Sequence, residues 1–420
     1  MMHLSNWRIV VAALVACGMV WATSAAVMEG AVYAWGSNSS GQLGDGTTTS
    51  RWSPTVISGL ESGVTAVAAG ATFGLAIQDG SLVAWGHNNF GQLGRGNNVV
   101  NASCYTPRTV LTMGSGVTVV ATGNVYGLAV RDGALYSWGR NTYGELGVGN
   151  NLNNAACYTP RQVVGMSSDV TAIAGGTFHS LAIQNGALYA WGQNSAGQLG
   201  NGTQTDSYTP QPVSGMDRDV TAVAAGNSSS LAIQNGALYA WGTNSYGQLG
   251  VGDTLNNTDC YTPRLVTGMD RGVTAIASEG DTNMAVKDGH VYLWGRVADV
   301  MGSHYSTPQE VVGLTNIVEV AVCGSMGSNS YYALDADGAL WAWGANNYGQ
   351  LGIDLAFGTS TAVSTPQRVG GDQDLTFASF SVRNGFVLAL QGTPVPEPAS
   401  LLVLTAGAAG LLSRRRTKTC

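Results

Sequence analysis

Short apolar segments of about six residues, separated by glycine-rich turns, follow one another along most of the chain. In the unit 170–213 the first three segments are mainly apolar, whereas the fourth, 208–213, contains two prolines. Asn185-Gly186 lies between the second and third segments, and this pair supplies the positive φ angles that a two-residue hairpin turn needs. Proline lacks the N–H that a central strand donates, so the fourth segment belongs at a sheet edge. Each unit is therefore predicted to be a four-stranded antiparallel sheet with its first segment innermost.

A Trp-Gly pair ends the third segment of every unit, at spacings of about 49 to 53 residues. The seven tryptophans are Trp35, Trp85, Trp138, Trp191, Trp241, Trp294 and Trp343. A period near fifty residues with four strands in each unit is typical of a β-propeller. Tryptophans at one register are expected to be wedges between blades, each burying about 150–250 Å², rather than binding platforms. The predicted fold class is all-β: a seven-bladed β-propeller of four-stranded antiparallel blades.

The two ends of the repeat region complement each other. Residues 29–35 form a third segment that lacks its first two, while 375–381 and 386–392 form a first and a second segment without a third. One blade is therefore predicted to combine two strands from each terminus, which closes the ring and removes an exposed sheet edge.

The loop after the third segment carries a second repeated motif. Gly-Gln-Leu-Gly occurs at 41–44, 91–94, 197–200, 247–250 and 349–352, and Gly-Glu-Leu-Gly at 144–147. Its leucine is expected to fill the base of the blade. Over about residues 30–392 this repeat resembles the regulator of chromosome condensation family, whose units carry Trp-Gly-x-Asn-x-x-Gly-Gln-Leu-Gly. The resemblance implies a seven-bladed propeller. The unit at Trp294 departs from the family pattern, because 296–302 contains neither the Asn nor the Gln-Leu pair.

The amino-terminal segment has the layout of a secretory signal peptide. Arg8 precedes an apolar run, and small residues end at Ala26. We expect residues 1–26 to be this signal and 27–393 to be the propeller. An alternative stays open: residues 14–17 resemble the lipobox of bacterial lipoproteins, which would leave a lipidated Cys17 at the start of the mature chain. On either interpretation the protein leaves the cytoplasm.

The carboxyl-terminal segment, 394–420, places a mainly apolar stretch between a Pro-Glu-Pro motif and an arginine cluster. The motif and the cluster comprise Pro396, Glu397, Pro398, Arg414, Arg415 and Arg416. This order closely resembles the PEP-CTERM sorting signal of Gram-negative bacteria. The resemblance implies a short transmembrane helix with transient membrane association, and an exosortase that cleaves near the motif. A membrane anchor retained by its flanking arginines is the alternative.

Charged residues make up only 10% of the chain, and the formal net charge is −7. Loss of both end segments would remove five basic residues and leave the domain 27–393 more acidic. An acidic surface repels phosphate backbones, so nucleic acid is disfavoured as a partner.

The sequence contains no recognisable catalytic or ligand-binding motif. The histidines are scattered, no two of them at metal-ligand spacing, and no phosphate loop, zinc motif or nucleophile elbow is present. Glu279 and Asp281 interrupt one unit and could point into the central channel, although solvated surface acids are the preferred interpretation. We therefore expect no enzymatic activity, no cofactor and no metal.

Four cysteines lie within the predicted propeller. Cys104, Cys157 and Cys260 share a Cys-Tyr-Thr-Pro-Arg context, and Cys323 falls in an innermost segment. Equivalent positions on neighbouring blades are expected to lie too far apart for a disulfide, which needs Cα atoms within about 7 Å. No disulfide framework is predicted, and a bridge between Cys104 and Cys157 is the one pairing left open.

Two loop positions vary among the units while the framework is nearly constant. In antiparallel blades the loops after the first and third strands lie on the same face. We call the varying position on the former the first ring, and the one just before Gly-Gln-Leu-Gly the second ring. The candidate binding residues are Phe73, Tyr126, His179 and Phe386 in the first ring and Phe90, Tyr143, Tyr246 and Tyr348 in the second. Exposed aromatics on one face are typical of surfaces that bind proteins or glycans. Packing of these residues over their own loops is the alternative.

The sequence therefore predicts a non-catalytic exported scaffold that binds an unidentified surface protein or polysaccharide. We expect it in the cell envelope, at the cell surface or in the extracellular matrix of a Gram-negative-type bacterium. The alternative is a polysaccharide-active enzyme with its site in the propeller channel. Acids lining one channel mouth would favour the enzyme, and an uncharged channel beneath an aromatic face would favour the scaffold.

Overall fold

The computed structural model describes residues 12–14, 21–23, 30–96, 103–149, 156–252, 258–297, 304–325, 328–353, 362–371 and 373–392. Thirty β-strands, β1 to β30 in chain order, make up the secondary structure of these residues, and no α-helix occurs among them. Twenty-eight of the strands form seven four-stranded antiparallel sheets, the blades. Each blade is given below from its innermost to its outermost strand.

Blade 1 consists of β29 (Phe377–Arg383), β30 (Phe386–Gln391), β3 (Val32–Gly36) and β4 (Arg51–Val56); blade 2 of β5 (Val64–Ala69), β6 (Phe73–Gln78), β7 (Ser81–Gly86) and β8 (Cys104–Thr109). Blade 3 consists of β9 (Val117–Thr122), β10 (Tyr126–Arg131), β11 (Ala134–Gly139) and β12 (Cys157–Gln162); blade 4 of β13 (Val170–Gly175), β14 (His179–Gln184), β15 (Ala187–Gly192) and β16 (Ser207–Pro212).

Blade 5 consists of β17 (Val220–Ala225), β18 (Ser229–Gln234), β19 (Ala237–Gly242) and β20 (Cys260–Leu265); blade 6 of β21 (Val273–Glu279), β22 (Thr282–Lys287), β23 (His290–Arg296) and β24 (His304–Glu310). Blade 7 consists of β25 (Ile317–Ser325), β26 (Ser328–Asp335), β27 (Leu340–Gly344) and β28 (Val363–Arg368). The remaining strands, β1 (Ala12–Leu14) and β2 (Trp21–Thr23), pair antiparallel and lie against the inner strands of blades 2 to 4.

The seven-bladed propeller predicted from the repeat is confirmed, and burial shows why each segment takes its place. Every residue of β5 and β29 is buried, because the inner strands converge on the propeller axis. The proline-containing strand β16 is half-buried to exposed, as expected for an outer edge. Blades 2 to 6 also make the predicted hairpin turns, in which an Asp or Asn at φ between 50° and 53° precedes a glycine.

Blade 1 closes the ring with strands from both ends of the repeat region. β3 pairs with β30, so that Val32 lies opposite Leu390 and Gly36 opposite Phe386. The inner strand β29 also contacts blade 2, where the Ala69 N–H donates to Ser381 Oγ at 2.9 Å. The predicted exchange of two strands from each terminus is therefore confirmed.

The recurring tryptophans join each blade to the one before it. Six indoles are fully buried, and each Nε1–H donates to the main-chain carbonyl oxygen of the motif's Gln or Glu in the preceding blade, at 2.8–3.0 Å. The six pairs are Trp35–Gln350, Trp85–Gln42, Trp138–Gln92, Trp191–Glu145, Trp241–Gln198 and Trp294–Gln248. For Trp343, the corresponding part of the preceding unit falls in 298–303, outside the described residues. The tryptophans are wedges, as predicted.

The loop that runs from each Trp-Gly pair to the end of the Gly-Gln-Leu-Gly motif, here called the clasp loop, is held by its own side chains. In six units the buried Asn of the motif accepts at Oδ1 from the leucine N–H at 3.0–3.1 Å. The side-chain oxygen of the motif's Gln or Glu accepts a hydrogen bond from the backbone N–H two residues earlier, at 2.7–2.9 Å. The leucines are buried, as predicted. Each clasp loop is thus fixed in one conformation.

Blades 6 and 7 depart from the regular unit. The connection between β23 and β24 spans only 297–303, whereas that of blade 4 spans 193–206. In blade 7, β25 and β26 contain nine and eight residues, against six in the corresponding strands of blades 2 to 5. Blade 6 therefore has a shorter third connection and blade 7 longer first and second strands than the regular units.

Within the described ranges, no helix combines the length and apolar character needed to cross a membrane. The predicted sorting segment 394–420, with its expected helix, lies outside the described residues, as does Cys17. Of the predicted signal peptide 1–26, only β1 and β2 are described.

Candidate binding site at the channel mouth

All seven blades line a cavity at the mouth of the central channel, on the face that carries the clasp loops. Each blade contributes a residue at one equivalent position, and some blades contribute further residues. The cavity has a volume of about 390 Å³. In each blade the equivalent residue lies seven positions after the first residue of the inner strand. These residues are Ala71, Asn124, Thr177, Asn227, Gly280, Gly324 and Asn384.

The preceding position differs sharply between two sectors of the ring. Blades 2 to 5 carry glycine there, namely Gly70, Gly123, Gly176 and Gly226, whereas blades 6, 7 and 1 carry Glu279, Cys323 and Arg383. Cys323 is buried, and its sulfur accepts a hydrogen bond from the Gly385 N–H at 3.0 Å. The polar side chains of blades 6 and 1 therefore meet at the mouth without counterparts in blades 2 to 5.

Arg383 connects four blades across the channel. Its side chain is 4% exposed, and Nη2 lies 3.4 Å from Glu279 Oε2 of blade 6. Nη1 donates to the carbonyl oxygens of Thr122 in blade 3, at 3.1 Å, and Gly175 in blade 4, at 3.3 Å. A guanidinium presents five N–H donors in a planar fork, so one side chain can satisfy partners on several blades.

Asp281 is the second acid at the mouth. Burial raises the pKa of its carboxyl group, while nearby Arg296 and a hydrogen bond from Gln248 Nε2 to Oδ1, at 3.1 Å, oppose the rise. The Arg296 guanidinium lies over the Tyr246 ring, 4.9 Å from its centroid. The preferred interpretation of Glu279 and Asp281 as solvated surface acids is therefore wrong, because both line the channel mouth and are partly enclosed by neighbouring blades.

The first ring is not an exposed surface, and this corrects the sequence-based expectation. Phe73, Tyr126, His179 and Phe386 have no exposed area, and each begins a second strand rather than lying in a loop. The cause is the glycine position described above: a Cβ atom added at Gly70, Gly123 or Gly176 would overlap the ring of Phe73, Tyr126 or His179, respectively. Phe73, Tyr126 and His179 turn inward and fill the space that the missing Cβ atoms leave.

Two first-ring groups are buried polar groups. Tyr126 donates from its hydroxyl to the His179 carbonyl oxygen at 2.6 Å and accepts from Ser180 Oγ at 3.0 Å. Burial, reinforced by Arg383, lowers the pKa of the His179 imidazole to about 4, so the ring is neutral near pH 7. Its Nε2 lies 3.0 Å from Ser230 Oγ. These groups belong to the packing beneath the mouth.

The second ring contains both exposed and half-buried aromatics. Phe90 and Tyr348 are 41% and 53% exposed. Tyr143 and Tyr246 are half-buried: the Tyr143 ring meets Phe178 edge-on, with centroids 4.9 Å apart, and Tyr246 packs with Arg296 and with His304. Of the second-ring aromatics, the structure therefore leaves Phe90 and Tyr348 most available to a partner.

Other candidate chemistry is sparse in the part of the chain that the structure describes. No group of three or more His, Cys, Asp or Glu side chains there is arranged to hold a metal ion. Cys104, Cys157, Cys260 and Cys323 are free thiols. Burial raises the pKa of the Cys323 thiol to about 12, which keeps it protonated.

Glu279 and Asp281 were singled out in the sequence, but the other residues at the mouth were not. A signal for them was present at the position after each inner segment, where three of seven units carry Asn and one carries Thr. A second signal was the run Gly, Gly, Gly, Gly, Glu, Cys, Arg at the position before it.

Comparison with known families agrees with the fold. Residues 3–285 match the RCC1-like domain, and residues 321–350 and 337–390 match the regulator of chromosome condensation (RCC1) repeat. Residues 394–416 match the PEP-CTERM protein-sorting motif.

The curated relatives match in part. The ultraviolet-B receptor UVR8 of Arabidopsis thaliana is 31% identical over 186 residues, which are 43% of this chain and 41% of the receptor. Protein RCC2 of Homo sapiens is 43% identical over 82 residues, which are 19% of this chain and 15% of that protein. The chain thus spans less than half the length of these relatives.

Two solved structures share the architecture over most of their length. Prp20p from Saccharomyces cerevisiae superimposes with a TM-score of 0.74 at 21% identity, covering 88% of this chain and 93% of that one. Human WBSCR16 superimposes with a TM-score of 0.73 at 23% identity, covering 86% of this chain and 100% of that one. At these identities the likeness concerns the fold alone.

Proposed function

The chain belongs to the RCC1-like propeller family and carries a PEP-CTERM sorting motif, and from this premise we propose that it is an exported, non-catalytic scaffold that binds a surface protein or a polysaccharide. The sorting motif indicates export with processing by an exosortase in a Gram-negative bacterium. The fold is compatible with protein binding, since Prp20p, which shares it, has binding properties towards Gsp1p and histones. We assign binding to the face that carries the clasp loops.

The observation that carries the proposal is the way in which the clasp loops present the second ring. The backbone N–H of Phe90, Tyr143, Tyr246 and Tyr348 is held by the motif side chain two residues later, at 2.7–2.9 Å. The framework is constant while the presented side chain varies. A preorganised backbone reduces the entropy lost on binding, and aromatic side chains are enriched among residues that dominate binding energy.

The two most exposed aromatics of the second ring lie on neighbouring parts of the propeller. Phe90 belongs to blade 2 and Tyr348 to blade 7, and these blades flank blade 1, whose second-ring residue is the small Ser40. Tyr348 also lies against Gly385 of blade 1, next to the mouth. We therefore place the partner across blades 7, 1 and 2, with Tyr143 of blade 3 at its border.

Capture of a partner by the exported protein tests this surface. The double variant Phe90→Ala/Tyr348→Ala should lose at least about tenfold in affinity for surface proteins or exopolysaccharide of the producing bacterium, since a buried aromatic anchor contributes about 2 kcal/mol or more. Its melting temperature should stay near that of the unchanged protein. Capture is measured by pull-down and quantified by titration.

A matched control removes exposed apolar side chains from the opposite face. Leu265 ends the outer strand of blade 5, Val312 follows that of blade 6, and the two are 46% and 86% exposed. Leu265→Ala/Val312→Ala should leave capture unchanged. Equal capture by both double variants would show that the second ring is not the binding surface.

The second candidate function, a polysaccharide-active enzyme, is favoured by the acids at the mouth. Glycoside hydrolysis uses two carboxyl groups, one of them a proton donor with a raised pKa, and burial raises the pKa of Asp281. The scaffold fits better, because the Arg383 guanidinium faces Glu279 where a substrate would have to approach. Release of reducing ends from exopolysaccharide by the unchanged protein, abolished by Asp281→Asn, would establish the enzyme instead.

A further inference from the structure

The cavity at the channel mouth has the dimensions of a ligand site. Its volume of about 390 Å³ falls within the roughly 300–1,000 Å³ that is typical of small-molecule pockets. All seven blades contribute to its lining, so its shape is set by the rigid inner part of the propeller. It is distinct from the exposed aromatics Phe90 and Tyr348, neither of which lines it.

The lining is rich in groups that both donate and accept hydrogen bonds. Asn124, Asn227, Asn329 and Asn384 contribute amides, and Thr177 contributes a hydroxyl. An amide has two donors and an acceptor with two lone pairs, and a hydroxyl has one donor and two lone pairs. Within the protein, Asn384 Nδ2 already donates to the Ala71 carbonyl oxygen at 3.0 Å, and Asn329 Nδ2 donates to Thr282 Oγ1 at 2.7 Å and to the Arg296 carbonyl oxygen at 3.1 Å. A ligand with several hydroxyl groups offers the same mixture and can be satisfied by this lining.

The charges at the mouth already face opposite charges. Glu279 lies against Arg383, with Nη2 and Oε2 3.4 Å apart, and Arg296 lies near enough to Asp281 to oppose its rise in pKa. A charged ligand would have to compete with one of these pairs and leave a partly buried charge uncompensated, which is costly. A neutral hydroxyl can donate to a carboxylate or accept from a guanidinium while each pair stays together.

We propose that this cavity binds one uncharged sugar residue, as a free sugar or as the end of a polysaccharide chain. The proposal rests on the proposed binding function and names a ligand class for the same face. Asn124, Asn227 and Asn384 hold the hydroxyl groups, and Tyr246, which lines the cavity beneath Arg296, supplies its aromatic wall.

Saturation-transfer NMR and titration with defined sugars test the cavity. The probes are the methyl glycosides of glucose, galactose and mannose, N-acetylglucosamine, and two charged sugars of the same ring size, glucuronic acid and glucosamine. At least one uncharged probe should bind with a dissociation constant of the order of millimolar, the range of a weak small ligand. Glucuronic acid and glucosamine should bind at least about tenfold more weakly.

Variants of the lining assign the binding to the cavity. Asn227→Ala and Asn124→Ala, on different blades, should each weaken the sugar at least about tenfold. Gln309→Ala on the exposed outer strand of blade 6 is the matched amide control and should bind as the unchanged protein does. Two lining variants are used so that a failure of either one to fold leaves the other to decide.

Three results would overturn the proposal: no uncharged probe binds, a charged probe binds as well as the uncharged ones, or the folded lining variants bind as well as the unchanged protein. The outcome is separable from that of the proposed function. If Phe90→Ala/Tyr348→Ala loses partner capture while no sugar binds, the scaffold stands and the cavity proposal fails. If the sugar binds and the double variant captures normally, the aromatic surface fails and the cavity stands.

Discussion

Blades 2 to 5 and blades 6, 7 and 1 use the same strand positions in different ways. The first sector ends its inner strands in glycine, over which Phe73, Tyr126 and His179 fold inward. In the second sector Glu279 and Arg383 occupy that position and meet across the channel. The regular sector therefore fills the space beneath its mouth residues with buried rings, and the irregular sector brings charged groups to the mouth.

The difference shows where the repeat serves structure and where departures from it supply chemistry. The clasp loops and tryptophan hydrogen bonds recur with nearly constant distances around the ring. The charged residues at the mouth, by contrast, each occur in a single blade. They lie in or near the unit that lacks the Gly-Gln-Leu-Gly motif after Trp294. Local violations of an otherwise consistent pattern are expected at functional sites.

Removal of residues 375–392 is the strongest test of the irregular sector. The deletion takes away β29 and β30, and with them Arg383, the partner of β3 and the closure of the ring. We expect loss of cooperative unfolding in thermal and urea melts, since β3 loses its partner, its sheet edge becomes exposed and the ring is opened. A truncated protein with an unchanged melting curve would refute closure by this blade.

Substitution of Arg383 should have the next largest effect on the free energy of unfolding. Arg383→Met removes the guanidinium that lies against Glu279 and the donor to the Thr122 and Gly175 carbonyl oxygens, and removal of one partner of a buried pair typically costs about 3–5 kcal/mol. The free energy of unfolding from urea titration measures it. Adding Glu279→Gln to Arg383→Met should restore part of the loss, and no recovery would show that the ion pair is not what holds this sector.

The pH dependence of stability tests His179, a buried polar residue of the regular sector. The folded-state pKa of about 4 lies below the ordinary value of 6.5, so the unfolded chain binds more protons between these values. The stability contributed by the neutral imidazole is present above pH 6.5 and is lost as the pH falls towards 4, by about 3 kcal/mol. His179→Phe, which copies Phe73, should remove this component.

The measurement is the free energy of unfolding of both proteins at several pH values from 7 to 4. Carboxyl groups common to both contribute equally and cancel in the difference. Parallel pH profiles for the two proteins would show that the His179 imidazole is not the acid-sensitive group.

The smallest effect on stability is expected when one tryptophan in each sector is replaced by phenylalanine. Trp191→Phe removes the hydrogen bond to the Glu145 carbonyl oxygen, and the smaller ring leaves space, so we expect a loss of about 1–3 kcal/mol. Trp343→Phe follows the unit that lacks the motif and should lose less. Chemical unfolding measures both, and a larger loss at Trp343 would mean that the irregular seam relies on its indole as strongly as the regular ones.

The fold was largely accessible from the sequence, and the site only in part. The tryptophan period, the Asn-Gly and Asp-Gly turns and the incomplete end units predicted blade number, strand order and closure. The second ring lies in the clasp loops, but the half-burial of Tyr143 and Tyr246 depends on Phe178, Arg296 and His304, which come from other loops and strands. Burial of the first ring was left as the alternative to exposure, since the space above a glycine is visible only when the inner strand is in place.

Turn chemistry, strand alternation and repeat period act over short stretches of chain, so the sequence predicts the propeller, its seven blades, its exchange of strands between the ends and its sorting motif. Which side chains form the mouth depends on how the blades come together in the closed ring. Glu279 and Arg383 lie on blades separated by blade 7, and Arg383 also reaches blades 3 and 4. Such groups meet only after the ring has closed, and the burial that changes their chemistry is supplied by neighbours that no local pattern identifies.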